Sequence, residues 1–322
     1  MLSSVKGFVR ACRSPRGRLL VNVVSALLAV TVAVLTARHF AESGWPLAHA
    51  DLTLVAAAGV FFLLSYGFKA YGWHRLFAPA ERPRPLTLAT ACGAASVSGA
   101  ALPGRFDDAV RVAVVRRFTG GEAGVPTVCF SLFMLGLVDT AALTPFAWTA
   151  AATSDSSIGV RAALAVVALA GFGAAIVIAV LPRVTASGRL IHFRLARWLH
   201  ARAATSHDAW RAGLLVLASW LARAFGLFIL LAALGVSISF PLAVAFLCAA
   251  AASGALPIAP AGAATQAGAG AAILIASGIG TSQAIAFAVA AQALLILAGA
   301  AVLVFAALCG GGRRLRLNRA AV

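Results

Sequence analysis

Six stretches of the chain, 19–37, 52–73, 125–152, 158–181, 212–235 and 282–308, are each long and apolar enough to cross a bilayer. A hydrocarbon core about 30 Å thick takes roughly 20 apolar residues of α-helix. Composition agrees. Of 322 residues, 62% are hydrophobic and 11% charged, where a soluble domain averages roughly 45–50% and about 25%. The expected fold class is all-α, a polytopic helix bundle with about six full spans, and nothing resembles a water-soluble catalytic domain.

Charge places the connections. The net charge is +17, from 26 Lys+Arg against nine acids. These basic residues sit in short loops between apolar runs and form no single face, which argues against nucleic acid as a partner. Two further apolar stretches, 86–102 and 242–256, are short, rich in Ala, Gly, Ser and Cys, and each ends at a proline. Cytoplasmic loops collect Lys and Arg. If both stretches dip into the membrane and return, all basic residues but Arg38, Arg161 and Arg223 fall on the cytoplasmic side. A full crossing by 86–102 would move the clusters in 105–117 and 183–211 outside, so re-entrant hairpins are expected. The stretch 19–37 follows Lys6, Arg10, Arg13, Arg16 and Arg18. Its length exceeds the ~7–15 residues of a signal-peptide core, and a retained anchor is expected. The resulting layout is a basic cytoplasmic N-terminus (1–18), a transmembrane domain (19–308) with hairpins near 85–118 and 241–279, and a basic cytoplasmic tail (309–322). A multi-pass cell-membrane protein with both termini cytoplasmic is expected.

The hairpins look like copies of one unit. Pro85-Leu86 and Pro241-Leu242 open them, Cys92 and Cys248 each follow seven residues later, and Ser98 to Pro103 matches Ser253 to Pro257. Three spans separate the copies, so the second enters from the opposite side. Inverted repeats of this kind place broken helices near the bilayer midplane, where transporters bind substrate.

Within the first hairpin a short helix is expected from Asp107 to Phe118. Asp107 and Asp108 lie at its positive end and Arg116 and Arg117 at its negative end. Asp107 and Asp108 stand four and three residues before Arg111, the spacings of facing side chains. Both a self-stabilised interfacial helix and a charged gate or headgroup site fit this pattern. In the second hairpin, a helix beginning near Pro260 would leave N–H groups unpaired at membrane depth. A lipid phosphate or a turn capped by Thr265 or Gln266 would satisfy them. Asp139 and Arg223 fall near the middle of spans, where a charge costs ~2.5–3.5 kcal/mol on insertion scales and usually faces a cavity or a partner. They are expected to share one polar interior, with a direct pair between them as one arrangement. A structural bridge and a transport role both remain open.

Elsewhere the sequence offers little chemistry. The five cysteines, Cys12, Cys92, Cys129, Cys248 and Cys309, are scattered without metal spacing and read as small hydrophobes. No metal or cofactor is expected. The stretch 192–200 is basic and amphipathic, which suits either anionic lipid or a solvated positive loop. Ser206, His207 and Asp208 have triad residue types, but neighbours in sequence do not make a triad. No Walker A or GxSxG context is present.

The chain resembles the lysylphosphatidylglycerol synthase transmembrane region family, the flippase-like membrane half of the multiple peptide resistance factor. The resemblance runs from about residue 19 to 308. It rests on Trp73 and Arg75, on Leu102-Pro103-Gly104-Arg105 with Asp108 and Arg111, on Asp139, and on Leu256-Pro257 with Pro260 and Gly262. Where relatives tend to carry Gly-Glu in the first hairpin this chain has Asp107-Asp108. In the second, Ala261 and Ala264 replace glycines and Ala267 stands where an acid is common. Leu135 and Gly136 occupy the place of a Glu-Arg pair. The aminoacyl-tRNA-using synthase half is expected to be absent.

The resemblance implies lipid translocation through a cavity lined by both hairpins, with no catalysis. The implied ligand-facing set is Pro103, Gly104, Arg105, Asp108, Arg111, Asp139, Arg223, Pro257, Pro260, Gly262, Thr265 and Gln266. The expected partner is a membrane lipid with an anionic headgroup, a phospholipid or a polyprenyl-phosphate-linked lipid. The alternative is a non-catalytic accessory subunit presenting lipid to a separate glycosyltransferase or synthase.

Overall fold

The computed structural model describes residues 50–101, 106–119, 123–153, 158–186, 205–236, 238–255 and 262–320. Among these the chain is helical and carries no strand. The helices are α1 (Leu52–Arg75), α2 (Pro85–Ala101), α3 (Phe106–Phe118), α4 (Val125–Thr153), α5 (Ile158–Ala186), α6 (Ser206–Ala233), α7 (Phe240–Ala255), α8 (Gly262–Ala276) and α9 (Thr281–Ala320). Five of them, α1, α4, α5, α6 and α9, are long and apolar enough to cross a membrane. The expected span 19–37, the basic stretch 192–200 and the hairpin tips lie outside the described residues.

Local chemistry sets the helix ends. Asp51 starts α1, its Oδ1 accepting from the Thr53 and Leu54 N–H groups at 2.8 and 3.3 Å. Thr205 starts α6, its Oγ1 accepting from Asp208 N–H at 3.1 Å. These are side-chain N-caps, which satisfy donors a helix leaves unpaired. Asp208 is thereby committed. It takes Arg82 at 2.6 Å and Arg75 at 3.5 Å, tying the start of α6 to the segment after α1.

The short helices form two hairpins, α2 against α3 and α7 against α8. At 1.5 Å per residue the 17 residues of α2 and 16 of α7 reach only about 25 Å, short of a hydrocarbon core of about 30 Å.

The repeat extends well beyond the hairpins. Helices α6, α7, α8 and α9 begin 154–156 residues after α1, α2, α3 and α4. Packing follows the same exchange: α2 lies along α9 as α7 lies along α4, and α1 touches α2 and α9 as α6 touches α7 and α4. The equivalent helices α1 and α6 pack along each other and run in opposite directions. Asp51 N–H donates to the Ala233 carbonyl at 3.1 Å, Gly226 abuts Ala58, and Gly72 abuts Ala212 and Val216. An inverted repeat is therefore built into the bundle. Ser65 and Ser219 are equivalent residues, and Ser219 Oγ donates to the Ser65 carbonyl at 2.9 Å. Equivalent residues that touch lie on the pseudo-two-fold axis, which thus passes through the α1–α6 crossing.

Lipid tails are as apolar as leucine, so close backbone approach holds such helices together more than hydrophobic burial does. Gly93 on α2 meets Gly299 on α9 so tightly that a Cβ on Gly93 would stand 2.6 Å from the Gly299 carbonyl oxygen. Gly171 on α5 fits against Thr140 and Thr144 of α4 in the same way. Helix α5 lacks a counterpart among the described residues, and it turns Val166, Leu169, Phe172 and Ile176 outward, as a lipid-facing helix does.

Candidate functional site

The two hairpins and the α1–α6 crossing enclose a cavity of about 860 Å³, within the ~300–1,000 Å³ range of small-molecule sites. Every described helix except α5 contributes to its wall. Most of the charged residues placed by the sequence meet here. Asp108 and Arg111 of α3, Asp139 of α4, Arg223 of α6 and Gln266 of α8 all line it, together with Asp107 and Lys69.

On α3, Arg111 reaches both carboxylates that its spacing promised, Asp108 at 2.6 Å and Asp107 at 3.4 Å. Its Nε is buried without a hydrogen-bond partner, so the guanidinium has a donor to spare.

The expected pair between Asp139 and Arg223 is not the one that forms. Both line the same cavity, but the carboxylate of Asp139 binds Lys69, Nζ to Oδ2 at 2.7 Å. Trp220 Nε1 donates to its other oxygen at 3.1 Å. Counting cations by loop places Lys69 with the cytoplasmic basic residues; it lies inside α1 with its side chain 12% exposed. The reason is helical phase. Lys69 follows Ser65 and Tyr66 on the face of α1 that meets α6, so its ammonium points inward.

Arg223 has a different environment. Its Nε donates to Ser65 Oγ at 3.3 Å, and its guanidinium lies 5.2 Å from the Trp220 ring and 5.9 Å from the Tyr66 ring. Aromatic faces attract a cation without neutralising it. Among the described residues no carboxylate pairs with Arg223.

One signal would have revealed Lys69. Ser65-Tyr66-Gly67-Phe68-Lys69 repeats as Ser219-Trp220-Leu221-Ala222-Arg223, a serine, an aromatic and a cation at matching places in the two halves. Lys69 and Arg223 are thus two-fold equivalents, as are Tyr66 and Trp220. Around the axis the aromatic donors play matching parts. Trp220 donates to Asp139, and the Tyr66 hydroxyl donates to the Leu295 carbonyl at 3.2 Å and shares a hydrogen bond with the Ser96 hydroxyl.

The second hairpin contributes no charge. Gly262 opens α8, Thr265 lies in its first turn, and Gln266 faces α9, where Gln292 Nε2 donates to the Ala263 carbonyl at 3.0 Å and to Gln266 Oε1 at 3.3 Å. Pro103, Gly104, Arg105, Pro257 and Pro260 lie outside the described residues.

The arrangement is a polar chamber within an apolar bundle, holding three cations and three carboxylates, of which Arg223 alone among the described residues lacks an ionic partner. No curated protein matches the chain. The profile of the lysylphosphatidylglycerol synthase TM region matches residues 19–302. With most of its length covered and its long apolar helices in place, the chain is a multi-pass membrane protein that belongs to the lysylphosphatidylglycerol synthase TM region family.

Proposed function

We propose that this protein carries an anionic lipid headgroup between the leaflets of the cell membrane through the chamber between its hairpins, acting as a transporter and not as an enzyme. The observation that carries the reading is Arg223. A charge near the middle of a span is costly and in general faces a partner or a pathway, and this one lies beside two aromatic rings and a serine on the wall of the cavity. A phosphate is the group its guanidinium suits best, since Arg pairs with it through two parallel hydrogen bonds. Arg111, with an unpartnered buried Nε, is a second contact at the hairpin. The acyl chains stay in the surrounding lipid while the headgroup passes, and both termini face the cytoplasm.

The test is reconstitution into liposomes with a leaflet-specific assay of fluorescent phosphatidylglycerol. Wild type is expected to redistribute the lipid, with Arg223→Ala reduced to near the level of empty vesicles and Arg111→Ala intermediate. Equal redistribution by wild type, both variants and empty vesicles would refute the proposal and leave a lipid-presenting role.

A further inference from the structure

We propose that the chamber holds two symmetry-related anion stations, one at Arg223 and one at Lys69, and that Asp139 is a tethered anion occupying the second. This rests on the headgroup reading above and specifies how the site is built.

The inverted repeat makes Lys69 and Arg223 equivalent, and the same exchange that takes α1 to α6 takes α4 to α9. With the 156-residue offset between the starts of α4 and α9, the residue equivalent to Asp139 is Leu295. Contacts agree with this register: Trp220 donates to the Asp139 carboxylate in one half, and its equivalent Tyr66 donates to the Leu295 main-chain carbonyl in the other. The two halves therefore present the same frame of serine, aromatic ring and cation. They differ in what stands beside the cation. Beside Lys69 a carboxylate stands 2.7 Å from the ammonium, while beside Arg223 the corresponding position is a leucine. An anion carried on the protein completes one station, and the other is complete only when an anion arrives from outside.

Geometry adds direction. Each cation lies one helical turn beyond the serine on the axis, and α1 and α6 run oppositely, so the stations sit on opposite sides of the midplane. Trp220 is common to both, with Lys69 Nζ 5.5 Å and the Arg223 guanidinium 5.2 Å from its ring. A headgroup that has reached Arg223 moves on by displacing Asp139 from Lys69, and the return of Asp139 to Lys69 releases it.

The experiment measures binding of dihexanoyl phosphatidylglycerol to purified protein by calorimetry, with glycerol 3-phosphate in parallel. Asp139→Asn opens the Lys69 station and is expected to tighten binding roughly tenfold or add a second equivalent, the scale of one further charge-assisted contact. Leu295→Asp supplies the missing tethered anion and is expected to weaken binding at least tenfold, as Arg223→Met does, and at least tenfold more than Leu295→Asn, which has the same size without the charge. Unchanged binding in Asp139→Asn together with equal binding in Leu295→Asp and Leu295→Asn overturns the two-station inference, and if Asp139→Asn fails to fold, the Leu295 pair decides alone. Loss of the Arg223→Met effect, or no binding by any variant, overturns the headgroup reading as well. Equal affinity for glycerol 3-phosphate would assign the stations to a free phosphate and remove the lipid from the account.

Discussion

Replacing Lys69 with methionine keeps the length of the side chain and removes its charge, leaving the Asp139 carboxylate with Trp220 Nε1 as its remaining contact. The pair is short, 2.7 Å, and its members are 12% and 20% exposed, so water replaces little of what is lost. Removing one partner of a pair this enclosed costs about 3–5 kcal/mol; the surviving indole hydrogen bond puts the expectation at the lower end, about 3 kcal/mol. At ~2–4 °C per kcal/mol, the scale for chains somewhat shorter than this one, the melting temperature falls by roughly 6–12 °C. Thermal unfolding in detergent, followed by tryptophan fluorescence, measures it. The decisive comparison is the double variant Lys69→Met with Asp139→Asn, which buries no unpaired charge and should recover most of the loss. Penalties that add across the two substitutions to within ~0.5 kcal/mol would show that the two groups do not depend on each other, refuting the pairing and the station built on it.

Three further substitutions separate structure from function. Gly93→Ala forces a methyl against the Gly299 carbonyl oxygen, with backbone on both sides of the contact, and should cost about 1–3 kcal/mol as overpacking. Gly67→Ala, where nothing lies within 4 Å of the new methyl, should be neutral or stabilising by up to ~1 kcal/mol; thermal melts of the two compare them directly. Asp208→Asn breaks the 2.6 Å bridge to Arg82 and should lower stability by about 1.5–3 kcal/mol, yet leave lipid redistribution per folded molecule near wild type, since Asp208 does not line the chamber.

Much of this architecture is legible in the sequence because hydrophobic length and charge placement act locally. The spans beginning at Leu52, Val125 and Ile158 start where their helices start. Helix α3 begins one residue before Asp107, and both of its carboxylates reach Arg111. Helix α6 begins at Ser206, ahead of the apolar run at 212, because Thr205 caps it and Asp208 finds arginine partners, neither of which hydropathy registers. Hydropathy and loop counting misplace Lys69 for a related reason. Counting cations by loop assigns a residue near the end of a span to the water side, whereas its inward direction depends on helical phase and on the neighbour across the crossing. The hairpin prolines and cysteines advertised the repeat, yet the more informative copy, Ser65-Tyr66 with Lys69 against Ser219-Trp220 with Arg223, mixes tyrosine with tryptophan and lysine with arginine. Identity matching passes over it; chemistry does not. Asp139 was recognisable as a buried charge, but its partner was settled only when α1, α4 and α6 came together.

A lipid headgroup that travels through the chamber is stopped when the chamber is filled. Gly99 and Gly136 line the cavity, and a Cβ at either meets nothing within 4 Å, so both accept a larger side chain without disturbing the helix contacts. In liposomes, Gly136→Trp alone and combined with Gly99→Trp should bring redistribution of fluorescent phosphatidylglycerol down to the empty-vesicle level, with melting temperatures close to wild type. Lipid movement at the wild-type rate in the folded, plugged protein would place the path elsewhere and refute transport through the chamber.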